Sequence, residues 1–318
     1  MAPTARSNSS KTKKYLVVGV GLCTLDYISI VDKFPGPDQK TEARQFSRQG
    51  GGPVSTALCA LAHFGEKVSF IGKVGNDPEG KIVAAEMARF GVDTSGMIFD
   101  SYSRTPRAFI WVDYHSGART VVLDRTEIAD IRRGEPEELK LELLQSCRYL
   151  HMDGREAKIS YYAAKLARDS GAEIVLDAGS PREHIKELLP LVDHLVVSRT
   201  FAESFTNEDE PGKACMKLAT MGFKTVAVTL GKYGCVYAAE GDFGQQDAFD
   251  IEAVDTTGAG DVFHGAYIYG LSKGWAVRDI VEFASAAAAM KCVRIGGRQG
   301  IPTVDEIVQF MEVEQGRL

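Results

Sequence analysis

The chain has 318 residues, 44% of them hydrophobic and 25% charged, a balance that excludes a disordered or fibrous protein. Its 37 basic and 43 acidic residues give a net charge of −6 with neutral histidine, so no nucleic-acid partner is indicated. No stretch approaches the roughly 18 continuous apolar residues of a membrane span, and the opening MAPTARSNSSKTKK lacks the apolar segment of a secretory signal, so a cytoplasmic location away from membranes is expected.

At roughly 150 residues per domain, the length allows two domains, or one large α/β domain with an appendage. Residues 1–14 read as a disordered polar tail and residues 15–318 as one domain. The six cysteines contain no C-x-x-C pair and the six histidines no pair at ligand spacing, so neither a disulfide framework nor a protein-held transition metal is expected. Glycine is abundant, at 32 residues, which suggests tight turns and close backbone approaches to a ligand.

Taken in order, Tyr15 to Val20 (YLVVGV) is a short β-branched run of the kind that forms a strand buried on both faces. Further strands are predicted at Val68–Ile71, Tyr149–Met152, Glu173–Leu176, His194–Val197 and Thr225–Thr229. Helical patterns alternate with them at Val54–Phe64, Gly80–Phe90, Ile159–Ser170 and Gly212–Met221, and three more close the chain at Val262–Ser272, Ala276–Arg294 and Val304–Val313. Such alternation predicts an α/β fold with a doubly wound, mostly parallel sheet flanked by helices. Two segments break the rhythm, at about 24–47 and 106–124. Both alternate apolar and polar residues, the second around a His115-Ser116-Gly117 turn, and they predict a small second sheet. Beside the carboxyl ends of the parallel strands, where open α/β sheets bind ligands, it would act as a lid.

The strongest chemical signal is Asp255-Thr256-Thr257-Gly258-Ala259-Gly260-Asp261, which leads directly into VFHGAYIYGL. A glycine-bracketed turn entering a helix collects unpaired N–H groups and the positive end of the helix dipole, making an anion hole. A carboxylate in the first turn would repel a phosphate, unless it takes a proton from an attacking hydroxyl while the N–H groups hold the phosphoryl group. Ordinary helix capping by Asp explains part of this pattern but not two acids, two threonines and two glycines together. Gly19-Val20-Gly21 after the first strand is a poor dinucleotide fingerprint, because Thr24 replaces its third glycine.

DTTGAGD at this position resembles the second signature of the PfkB, or ribokinase-like, family of carbohydrate kinases. Gly50-Gly51-Gly52-Pro53, with Gly65 and Gly75 beyond, resembles the family's first signature, and Thr229-x-Gly231-x-x-Gly234 its nucleotide-side turn. The likeness covers residues 15 to 312. Phe283 to Glu306 and the Lys291-Cys292 pair look most like the sulfofructose kinase and ketohexokinase branch.

The resemblance implies that Asp261 is the catalytic base and that Gly258, Ala259 and Gly260 form the anion hole. It implies that Asp26, Gly51 and Gly52 meet the sugar and that Thr229, Gly231 and Gly234 border ATP, which arrives with Mg²⁺. Asp255, Thr257, Gly296 and Gly297 match where many members hold a monovalent cation such as K⁺. Lys40 and Arg155 fall where a sulfonate or phosphate on the sugar would need cations. Thr56 replaces an Asn of the first signature, and Ser198 to Glu203 lacks the Asn of an N-x-x-E motif that organises Mg²⁺, although Ser198 and Glu203 could still serve. The implied activity is phosphoryl transfer from ATP to a ketose-like sugar, with 6-deoxy-6-sulfofructose the sharpest candidate. Ribokinase, fructokinase and nucleoside kinase are the alternatives, and a catalytically silent sugar- and nucleotide-binding protein is the reading from another class. Phe109 and Trp111 read as packing under the lid rather than as a clamp for a nucleoside base. A homodimer paired through an exposed lid edge is expected.

Overall fold

In the computed structural model, which describes residues 13–125, 139–155, 157–182, 184–239 and 241–316, YLVVGV forms β1 (Tyr15–Val20) inside the main sheet. The chain then leaves that sheet for β2 (Thr24–Val31) and β3 (Gln45–Gly51), and returns through α1 (Pro53–His63), β4 (Val68–Gly75), α2 (Pro78–Phe90) and β5 (Asp93–Asp100). A second excursion makes the hairpin β6 (Arg107–Asp113) and β7 (Arg119–Asp124). After α3 (Leu141–Gln145), strands and helices alternate as β8 (Cys147–Met152), α4 (Ala157–Asp169), β9 (Glu173–Ala178), α5 (Ile185–Leu188), β10 (His194–Ser198), α6 (Arg199–Thr206), α7 (Pro211–Ala219) and β11 (Thr225–Thr229). The hairpin β12 (Cys235–Ala239) and β13 (Asp242–Gln246) precedes α8 (Ala259–Lys273), α9 (Val277–Cys292) and α10 (Val304–Glu314).

Among the described residues the main sheet runs β13-β12-β11-β10-β9-β8-β1-β4-β5, parallel except for its β12 and β13 edge. Each strand and helix expected from the sequence forms, with ends shifted by a few residues, as fraying ends do. Sequence patterning does not pick out β5, β12 and β13. They carry Asp, Gly, Ala and Gln, residues of weak strand propensity, and β5 and β13 lie at the two sheet edges, where burial selects them least. Residues 1–12 of the expected tail lie outside the described residues. Lys13, also assigned to it, is already tied down by donating to the carbonyls of Gln145 and Ser170.

Side chains of the sheet fill two cores. Val17 of β1 packs into the layer of α1, α8 and α9, whereas Val18 and Val20 pack into the layer of α4 to α7, the alternation a strand buried on both faces requires. The second sheet runs β3-β2-β6-β7, with β2 and β6 parallel and the outer pairings antiparallel. One face carries Ile28, Ile30, Ala108, Ile110 and Val112, which bury against Ile295. Phe109 stacks on Tyr27 with centroids 5.5 Å apart, and Trp111 meets Phe34 edge-on. These rings occupy the opposite face from Asp26, because Tyr27 and Phe109 are register partners while Asp26 pairs with Ala108. Neither ring packs under the lid, as the sequence reading expected, nor can either clamp a base beside Asp26.

Candidate active site

The strands β1, β8, β9, β10 and β11 are parallel neighbours, so their carboxyl ends share one edge of the sheet, and Asp177 at the end of β9 is near enough to Asp261 in the first turn of α8 to shift its ionisation. Asp255, with 0% exposure, shapes the approach to that helix. Its Oδ1 accepts from Thr257 N at 2.8 Å and its Oδ2 from Gly296 N at 2.6 Å, which locks the turn onto the loop between α9 and α10. Gly258 caps α8 with φ 76°, and a Cβ there would meet Gly297 Cα at 2.6 Å, so only glycine fits. The N–H of Ala259 is spent on Thr256 O at 3.2 Å. Of the three residues expected to form the hole, Gly258 and Gly260 keep N–H groups that make no hydrogen bond among the described residues. Nothing lies within 4 Å of where a Cβ on Gly260 would sit, so the turn faces open space.

Asp261 stands in the first turn of α8 and makes no hydrogen bond among the described residues. Burial, then the nearby charge of Asp177, pushes its carboxyl up to about 6 despite Arg119, His264 and Arg298. A carboxylate held there is half ionised near pH 6, mostly ionised at neutrality, and more basic than an ordinary carboxylate, so it can accept a proton.

Across the cleft, Asp26 on β2 is also buried and is pushed up to about 6, by desolvation first, against a 2.6 Å hydrogen bond from Thr24 Oγ1 and the charge of Arg298. Gly51 ends β3 opposite Thr24, and any side chain there would collide with the Asp26 carboxylate. Gly52 is the N-cap of α1, directly beside the Leu22 carbonyl. Thr56 is buried in the first turn of α1, where its hydroxyl faces Arg298 Nε at 3.4 Å. The shorter side chain leaves Arg298 room to lie against the helix. Arg298 reaches Glu86 Oε1 at 3.1 Å, Gly51 O at 3.1 Å and Ser55 Oγ at 2.9 Å.

Of the residues expected to border the nucleotide, Thr229 ends β11 as the register partner of Ser198 on β10, and Gly231 and Gly234 form the turn that follows. Ser198 caps α6 and donates to Gly179 O at 2.8 Å. The Glu203 carboxylate is taken up by Arg199 one turn away. The lid reaches the turn that enters α8. Gly117 O accepts from Thr256 N at 3.2 Å, and Arg119 donates to Thr256 O at 2.6 Å.

The Asp261 charge is near enough to raise the Asp26 pKa, so the two carboxylates and the glycine turn that carries Asp261 belong to one site. The chain matches the pfkB family carbohydrate kinase model over residues 14–304. It belongs to the pfkB family of carbohydrate kinases. Maize fructokinase-1 is 29% identical, with 93% of this chain and 98% of that protein covered. The ribokinase of Haemophilus influenzae is 28% identical over 94% and 99% of the two chains. The solved ribokinase of Thermotoga maritima superposes with a TM-score of 0.80 at 26% identity, covering 94% of this chain and 99% of that one. The chain is accordingly a phosphotransferase with an alcohol group as acceptor.

The kinase holds no group of three or more His, Cys, Asp or Glu side chains placed to bind a metal among the described residues. The Glu203 carboxylate, expected near Mg²⁺, is paired with Arg199. No helix of the described residues is long and apolar enough to cross a membrane. The residues expected to bind K⁺ do not fit it well: both Asp255 carboxylate oxygens accept N–H groups, and the Asp255 carbonyl accepts from the Lys291 ammonium at 2.6 Å.

The two basic candidates separate. Lys40 is exposed in the segment between β2 and β3 and makes no hydrogen bond or ion pair among the described residues. Arg155 follows β8, where its N–H donates to Asp153 Oδ1 at 3.0 Å and its Nε is buried without a partner among the described residues. Arg182 joins it, donating to Asp153 O at 2.7 Å.

Sequence reasoning missed Arg298, Arg119, Arg182 and a buried group around Asp177. His264 Nε2 lies 3.3 Å from Asp177 Oδ1, and its ring is 5.6 Å from that of His151. Burial lowers the His264 pKa, but Asp177 outweighs it and the net shift is upward, whereas burial and then His264 push His151 down to about 4. One signal was legible, since His264 lies three residues after Asp261 on the same helix face.

Proposed function

We propose that this kinase transfers the γ-phosphoryl group of Mg·ATP to a primary hydroxyl of a small ketose-like sugar, with Asp261 as base. The observation that carries the reading is the Asp261 carboxylate, raised to about 6 and free of protein hydrogen bonds, beside the open N–H groups of the turn. Asp26 would bind sugar hydroxyls under the lid, with the Gly51 and Gly52 backbone alongside. Thr229, Gly231 and Gly234 would border the nucleotide. As the hydroxyl attacks in line, Asp261 takes its proton while the Gly258 and Gly260 N–H groups hold the transferring oxygens. The lid hairpin, hydrogen-bonded to Thr256, keeps competing water from the γ-phosphate.

ADP release with Mg·ATP against sulfofructose, fructose, fructose 6-phosphate, ribose and two nucleosides tests this. Selective turnover of one sugar supports it. Turnover of the nucleosides alone would overturn the sugar assignment.

The pH profile should carry the signature of both carboxylates. Each is held at about 6, above its ordinary 3.8, and Asp261 must be ionised to act. kcat/KM is therefore expected to fall as pH drops below about 6, by tenfold per unit where one group governs and more steeply where both do. An acid limb centred near 4 would show that the base is an unshifted carboxylate elsewhere.

A second reading concerns the sugar's distal end. The partnerless Arg155 Nε, with Arg182 beside it, favours an anionic substituent such as the sulfonate of 6-deoxy-6-sulfofructose, as in the sulfofructose kinase branch. Leu123 packs against the apolar face of the lid sheet and offers that substituent no polar contact. Arg155→Ala is expected to raise KM roughly 10-fold or more for an anionic sugar, the loss of one charge-assisted hydrogen bond, and less than about twofold for a neutral one. Lys40→Ala, at an exposed position, serves as the comparison. Equal effects of Arg155→Ala on both sugars would remove the anionic reading. A cytoplasmic homodimer, joined through the outer lid face that exposes Phe46 and Val122, completes the proposal, and sedimentation of the intact chain tests the dimer.

A further inference from the structure

We propose that the Lys291 ammonium is the built-in counter-charge of the Asp255 turn, standing where a bound monovalent cation would otherwise act, so that the kinase works without potassium. The inference rests on the reading of residues 255–261 as the turn that holds the phosphoryl group.

Asp255 and Lys291 are both 0% exposed. An ionised carboxylate so buried needs a compensating charge, and two N–H donors supply dipoles but no net charge. Lys291 supplies the charge. Its Nζ donates to the Asp255 carbonyl at 2.6 Å. On balance the lysine's pKa is lowered, by burial first, with the Asp255 charge opposing part of that shift.

The surroundings are those a monovalent cation would choose. Lys291 lies in the last turn of α9, at the negative end of its dipole. The next carbonyl, Cys292 O, accepts from Val254 N at 2.8 Å and Asp255 N at 3.1 Å, so the end of α9 is stitched to the start of the turn. A potassium ion among these oxygens would compete with a tethered ammonium for the Asp255 carbonyl and lie against its like charge. Thr257 Oγ1, buried without a partner, is a single neutral oxygen and does not offset that repulsion. Lys291 thus acts as a positioning residue. It touches no substrate, but it holds the backbone whose N–H groups face the phosphoryl group.

The test compares potassium with choline at equal ionic strength, on the full chain and on Lys291→Met, which keeps the volume and removes the charge. For the unmodified chain, melting temperature and ADP release should both be indifferent to potassium, with turnover changing less than twofold. Lys291→Met should melt lower and turn over at least 10-fold more slowly in choline. Potassium should then restore part of both, with a rise of roughly 2–4 °C in melting temperature, while sodium restores less. A loss that no cation repairs would show that Lys291 does not stand in for a bound cation, and overturns the proposal. Potassium activation of the unmodified chain by threefold or more overturns it too, and needs no variant that folds. The melting comparison requires no sugar, so it stands even if the substrate assignment fails.

Discussion

Asp261→Asn is expected to lower turnover by on the order of 10²–10⁴, the range for removing a general base, with a far smaller change in KM. The substitution keeps the shape and the first-turn position while removing the ability to accept a proton at neutral pH. Its effect on stability has the opposite sign. Burial and the charge of Asp177 hold Asp261 at about 6, above its ordinary 3.8. Stability linked to this group is present below about 4 and lost as pH rises through about 6, so the ionised carboxylate destabilises the fold at pH 7. The Asn variant should melt no lower than the parent at pH 7 while its turnover collapses, which separates lost chemistry from lost structure. ADP release and thermal unfolding on the same preparation measure both. Near-normal turnover would move the base elsewhere.

Arg298→Met should have the largest effect on stability. The side chain is only 1% exposed and joins the loop after α9 to Glu86 on α2, Gly51 on β3 and Ser55 on α1. Its removal strands the Glu86 carboxylate, whose other partner is Gly50 N at 3.0 Å, among buried groups. Breaking a buried ion pair from one side costs about 3–5 kcal/mol, or roughly 10 °C in melting temperature for a chain of this size. Adding Glu86→Gln should recover part of the loss, since the stranded charge is then gone. A single variant that melts within 2 °C of the parent would show that the network contributes little. Because Arg298 also lowers the Asp26 pKa, its loss should move the acid limb of kcat/KM upward.

The turn, the strands and the lid were legible because each is local. DTTGAGD needs only its own glycines to make the turn that enters α8, and YLVVGV needs only β-branched residues to be a buried strand. The lid segments were readable from alternation alone, although β3 runs on to Gly51 and so carries the glycines of the first signature into the sheet. The network around Arg298 was not legible. Its partners lie 212 to 247 residues away in sequence, and no periodicity links them. The same holds for Asp177 with His264, joined only when β9 and α8 meet, and for Lys291, which reads as an ordinary surface charge until α9 closes over Asp255.

The sequence by itself determined the α/β architecture and the glycine turn that enters α8 with Asp261 in its first turn, because backbone geometry and side-chain period are set within a few residues. Only the tertiary structure decided which charges face one another. It pairs Lys291 with Asp255, spends Glu203 on Arg199, and turns Phe109 and Trp111 away from the cleft. Electrostatic partners and strand faces depend on how distant segments pack, and burial then shifts the ionisation of Asp26 and Asp261 away from their ordinary values.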